Sequence, residues 1–184
     1  MAFRELYLAT FNTSPNQSKH FAIFVPNEND RQKGTLIHVV GAPGTGYGHV
    51  FERNYNPFTN KSLNTITLVG HIDAHHVVDP QTTQPSKDNI PRGDLEVVAH
   101  YIPPPSAWNF LAPKGGLVRR CQEWTWDFVT KLVAKRYITG QAQEIVSSHF
   151  DPLIYGLDPQ AAGRGVHEVG AVGGRFGGGL QRGL

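Results

Sequence analysis

The chain has one cysteine, one methionine, few charges and no long apolar run. A single cysteine cannot close an internal disulfide, so the fold has to be held by burial and hydrogen bonding, as suits a reducing compartment; a cytoplasmic location is expected. Charged residues make up 17% of the chain and the net charge is only +2. That balance argues against binding to nucleic acid or to an anionic membrane surface. No apolar run approaches the roughly 20 residues needed to cross a bilayer, so no membrane anchor is expected. The start, "MAFRELYLATF", lacks a basic segment followed by a continuous apolar one, and no signal peptide is expected. No internal repeat is visible.

What is present suits one domain of ordinary size, with 39% hydrophobic residues in 184. The expected boundaries are a single domain over 1–160 and a glycine-rich tail over 161–184 that has little to bury. "RELYLATF" reads as a short first strand. "HFAIFV", residues 20–25, and "TLIHVVG", residues 35–41, are β-rich, and the polar connection between them predicts an antiparallel hairpin. The glycine- and proline-punctuated interval 42–62 reads mostly as loop. "LNTITLVGHI" predicts a strand over 63–72, "AHHVVDP" a weaker one over 74–80, and "DLEVVAHYI" a strand from 94 that stops at three prolines. From Cys121 the apolar period changes to three and four, which predicts a helix over about 121–136. A second helix is expected over 140–149 with Thr139 as its cap.

Cys121 sits where that helix begins. A helix N-terminus favours a thiolate, and Arg119 and Arg120 add positive charge, so the pattern suits a nucleophile with a lowered pKa. A buried cysteine that merely packs is the competing reading. A thiol nucleophile needs a base and a group to orient it. By strand alternation His20, Ala22 and Phe24 share one face, and Leu36, His38 and Val40 share one face of the partner strand, so His20 and His38 are expected close together across the hairpin.

"HFAIFV", then "GTLIHVVG", then a cysteine opening an amphipathic helix in "RRCQEWTWDF" resembles the circularly permuted papain-like (NlpC/P60) superfamily. The branch most similar in pattern is the lecithin:retinol acyltransferase-like one, in which the histidines also precede the cysteine. The resemblance implies an α+β fold, with an antiparallel sheet packed against the cysteine-bearing helix. It also implies Cys121 as nucleophile, His20 as general base and His38 as the orienting residue. The chain as a whole is similar to small proteins of filamentous fungi, a likeness that carries no activity with it. The expected activity is a thiol hydrolase or acyltransferase acting on an amide, ester or thioester of a small molecule or peptide, without a cofactor. The alternatives are a non-catalytic peptide- or protein-binding domain of the same fold, and an acid–base catalyst that forms no covalent intermediate. Tyr47 in the glycine-rich "GAPGTGYGH", Trp108 in the proline-rich "PPPSAWNFLAP", and Trp124 on the helix are the expected substrate contacts. A metal set could be drawn from His71, Asp73, His75, His76 and Asp79, but it lacks an identifiable remote ligand and no metal site is expected.

Overall fold

The computed structural model describes residues 2–13, 18–107 and 119–151. Residues Met1–Leu153 form one compact unit. The expected tail at 161–184 lies outside the described residues, as does most of the segment 103–118.

Six strands form one antiparallel sheet: β1 (Phe3–Phe11), β2 (His20–Pro26), β3 (Gly34–Ala42), β4 (Gly46–Tyr55), β5 (Leu63–Asp73) and β6 (Ser86–Asp88), in the order β5-β1-β2-β3-β4-β6. Three helices follow: α1 (Gly93–His100), α2 (Cys121–Ala134) and α3 (Gln141–Ser148). The architecture is α+β. No described helix is long and apolar enough to cross a membrane.

The period-two pattern of β2 makes two cores. Phe21, Ile23 and Val25 face the helices and join Leu6, Leu8, Ile37, Val39, Phe51, Trp124, Phe128 and Leu132. Ala22 and Phe24 face the other way and join Ala9, Phe11 and Leu36. On that second face Phe11 of β1 and Tyr55 of β4 meet edge-to-face at 6.4 Å, although β2 and β3 lie between them. Three strand spacings alone would put them at least about 14 Å apart in a flat sheet, and the register, with Phe11 opposite His20 and Tyr55 level with Pro26, separates them further along the strands. The sheet therefore curls, and this face is concave.

Four expectations are corrected. The interval 42–62 is not mostly loop: it holds β4, in which Phe51 and Arg53 are buried and which pairs with both β3 and β6. Residues 94–102 do not form a strand; Leu95, Val98 and Ala99 are buried at helical spacing in α1, and Gly93 turns the chain into it at a φ of 76° that other residues rarely adopt. Residues 74–80 hold a single 3₁₀ turn, Ala74–His76, capped by Asp73. Helix α3 takes Gly140, not Thr139, as its N-cap, and the Thr139 carbonyl accepts the Ala142 N–H.

Arg53 locks β4 and β6 to α1. Its guanidinium pairs with Glu96, which is also buried, and with Asp88 at 3.1 Å. Glu96 also accepts the Arg92 N–H at 2.6 Å. Burial and these carboxylates act on Arg53 in opposite directions, and the carboxylates hold its pKa above the ordinary value. Removing one member of a buried pair leaves the other charge uncompensated. Glu96→Ala is expected to lower the unfolding free energy in urea by about 3 kcal/mol. A loss under 1 kcal/mol would show that Asp88 alone satisfies the guanidinium.

Candidate active site

Strand β2 begins at His20 and pairs with β1 from that residue on, Phe11 lying opposite His20. Its pairing with β3 starts only at Ile23 opposite Ile37. The two strands have parted at the His20 end, so main-chain groups there have no β3 partner. The first turn of α2 supplies them. The Lys19 carbonyl accepts from Gln122 Nε2 at 2.9 Å, and the Cys121 Sγ lies 3.9 Å from the same oxygen. Asp151 completes the clamp: its carboxylate accepts the Lys19 N–H and the Gln122 side chain, each at 2.7 Å. Gln122 is fully buried, which fixes the helix start against residue 19.

The hairpin brings the two histidines together. His20 Nε2 lies 2.8 Å from His38 Nδ1, with the rings crossed at 64°. His38 is buried, and its Nε2 lies 3.3 Å from Glu52 Oε1, a charge contact that lacks the alignment of a hydrogen bond. Lys87 on β6 reaches the same Glu52 oxygen at 2.8 Å. The polar chain runs Lys87, Glu52, His38, His20. The His38 imidazole is the main influence that holds the Glu52 carboxyl at about 2, against the opposing effect of burial. Glu52 is thus ionised, and it favours a proton on His38 Nε2. His38 Nδ1 is then an acceptor, His20 Nε2 its donor, and His20 Nδ1 carries the lone pair. Among the described residues His20 Nδ1 has no hydrogen-bond partner. Burial, helped by the neighbouring His38, lowers the His20 pKa to about 4, so this ring is neutral near pH 7.

Cys121 opens α2 as expected, yet the thiol differs from the expectation of a lowered pKa. Burial raises it above the ordinary value; the Phe21 N–H and Arg120 pull it down, and Glu123 opposes them. The arginines act weakly because both are engaged. Arg119 pairs with Asp127, and Arg120 bonds Ser18 and pairs with Glu123 at 3.3 Å. The thiol rests against the main chain on both sides of His20, at the Lys19 carbonyl and the Phe21 amide, without a hydrogen bond to either ring nitrogen. Tyr47 stands nearby: the Cys121 charge contributes, after burial, to raising its phenol. Its N–H bonds the Pro105 carbonyl at 2.9 Å. Trp124 is not a substrate contact. It is fully buried, and its indole N–H donates to the Ile102 carbonyl at 3.1 Å. Trp108 lies outside the described residues.

The chain belongs to a family of unknown function (DUF6540). That family's pattern matches residues 6–139. No curated protein and no solved structure matches the chain. The DUF6540 match spans His20, His38, Glu52 and Cys121, and ends before Asp151.

Glu52 and the clamp residues Gln122 and Asp151 were not singled out by sequence. A signal for Glu52 existed, since Val50 and Glu52 alternate with Phe51 and Arg53, but the surrounding glycines read as loop. Gln122 and Asp151 carry no pattern of their own.

Two measurements follow from the charges. A histidine whose folded pKa is depressed stabilises the fold above its unfolded pKa, and that stability is lost as pH falls through the folded value. The unfolding free energy is expected to drop between pH 6.5 and about 4 because of His20, and His20→Gln should flatten that interval. An unchanged slope in the variant would assign the loss elsewhere. Iodoacetamide should alkylate Cys121 in the folded protein at pH 7 more slowly than it alkylates free cysteine, with the rate rising above pH 9. Fast labelling at pH 6 would refute a protonated resting thiol.

Proposed function

We propose that the chain is a cysteine-dependent hydrolase or acyltransferase of the permuted papain-like kind, acting on an ester, thioester or amide. The observation that carries this reading is the 2.8 Å contact of His20 Nε2 with His38 Nδ1, made beside a thiol that rests against the main chain of His20's neighbours, Lys19 and Phe21. The nitrogen left as base is Nδ1, the one bonded to Cγ and nearest that main chain.

In this mechanism His20 Nδ1 removes the Cys121 proton as Sγ attacks the substrate carbonyl carbon. The C–S bond forms and the carbonyl π pair moves onto oxygen. The main-chain N–H of Cys121, at the start of α2 and without a partner among the described residues, stabilises that oxyanion. Collapse expels the alcohol, thiol or amine, which takes the proton from His20. Water, or an acceptor amine, then attacks the acyl-enzyme with His20 again as base; the C–S bond breaks and His20 returns the proton to Cys121 Sγ. His38 holds the His20 tautomer, and ionised Glu52 at the far end stabilises the imidazolium that forms transiently. The resting thiol is protonated, so proton transfer accompanies attack rather than preceding it. Tyr47, beside Cys121, borders the substrate's approach. A cytoplasmic setting would keep the thiol reduced.

The burial of Cys121, 7% exposed, favours a second reading in which the fold binds a peptide without catalysis. Intact-protein mass spectrometry with activated acyl esters and thioesters separates the two. An acyl adduct on Cys121 that is lost in Cys121→Ala, together with a turnover about 10²–10⁴-fold lower in His20→Gln, is the expected result. Turnover that survives in Cys121→Ala would refute the thiol role and leave the histidines as acid and base. No adduct and no turnover across the acyl panel would leave the binding domain.

A further inference from the structure

On the other side of the molecule from the histidine pair's strand end, β5 runs into the 3₁₀ turn and meets the start of α1. We propose that His75, His76 and Asp94 there form a binding site for a zinc-class divalent ion. One ligand atom from each of the three residues lies within 4.8 Å of the other two. Ligands sharing one ion, with bonds of about 2.0–2.2 Å, stand roughly 3–3.5 Å apart, so the set has to draw in by little more than 1 Å. Two imidazoles and one carboxylate are a borderline donor set that suits zinc and its neighbours rather than calcium or magnesium, which take oxygen ligands.

The positions are built rather than incidental. Asp73 caps the turn by accepting the His75 N–H, and its carboxylate also lies 2.7 Å from His75 Nδ1. A carboxylate on one ring nitrogen fixes the tautomer and leaves Nε2 as the ligand atom, the arrangement that supports metal-bound histidines. His76 stacks on Tyr137, with centroids at 3.8 Å and planes at 20°, and its Nδ1 lies 2.8 Å from Asp94 Oδ2. A cation would join the same two atoms. The turn and the helix are held at close range: a Cβ on Gly93 would lie 2.9 Å from a Val78 methyl and 3.1 Å from the His76 carbonyl. Asp94 is therefore delivered to the histidines by the backbone. His71, which lies on β5, does not join the group. The site is exposed on one side, so water would complete the coordination. It is separate from Cys121 and independent of the acyl-transfer reading.

Isothermal titration of the full chain with zinc, and cobalt(II) absorption spectra, test the site. One ion per chain is expected at pH 7.5, with binding at least tenfold weaker at pH 5.5, where protons compete for the imidazoles. Asp94→Asn, a change at an exposed side chain, and His76→Ala should each weaken binding more than tenfold. His71→Ala should leave it unchanged. Circular dichroism confirms that each variant folds. The proposal is overturned if no ion binds, or if the affinity is the same in Asp94→Asn and His76→Ala as in the parent chain.

Discussion

Strand β2 has no free face. Six of its seven residues are buried, and it is paired with β1 from His20 to Phe24 and with β3 only from Ile23 onward. Everything placed near the candidate site is placed by that strand. Its odd-numbered side chains anchor α2 through Phe21, Ile23 and Val25. Its even-numbered ones put His20 beside Phe11 and His38. Where β3 leaves, the unpaired main chain around His20 would be orphaned in a buried region, and such groups are costly. Helix α2 answers this with Gln122 and Cys121, and Asp151 holds both partners. The meeting of the thiol with the main chain of Lys19 and Phe21, on either side of His20, is thus a consequence of satisfying a hydrogen-bond deficit.

The buried histidine chain is stabilised only as a set. Without His20 the buried His38 Nδ1 would lose its 2.8 Å partner, and without Glu52 its Nε2 would lose the carboxylate at 3.3 Å; a buried polar group left unpaired costs about 1–3 kcal/mol. Glu52 in turn is balanced by Lys87 from the short sixth strand. One charged end facing solvent and one neutral end facing inward make a gradient along the chain. A proton arriving at His20 is felt at Glu52, which is what an orienting group requires.

Much of the sheet could be read directly. "HFAIFV" and "TLIHVVG" alternate cleanly and were joined by a polar connection, so the hairpin and the His20–His38 pairing followed from parity alone. The Cys121 helix was equally legible, because seven residues at helical spacing leave few alternatives. Strand β4 was hidden. Its inward members include Tyr47, His49 and Arg53, and Arg53 is buried only because Glu96 and Asp88 meet it from elsewhere in the chain. Helix α1 was hidden for the same reason: Glu96 reads as a surface residue until its partner is known, and "LEVVA" without that knowledge fits a strand. The thiol's resting state was misjudged chiefly because the burial of Cys121 is set by the whole fold, and because Arg120, the nearer cation, is taken up by Ser18 and Glu123. Local pattern carried periodicity; it could not carry the partners of buried charges.

The three consecutive prolines after α1 have a further effect. Their segment runs beside the start of β4, where the Tyr47 N–H meets the Pro105 carbonyl. Strand β6 pairs only Phe51, Glu52 and Arg53 of β4, so the rest of β4 would present an open ladder to another chain. Prolines accept but cannot donate, so this segment satisfies β4 while offering no continuation of the ladder. Strand β6 is itself only three residues long and carries Lys87. A chain with no disulfide and few charges thereby keeps that margin of its sheet from templating fibrous self-association.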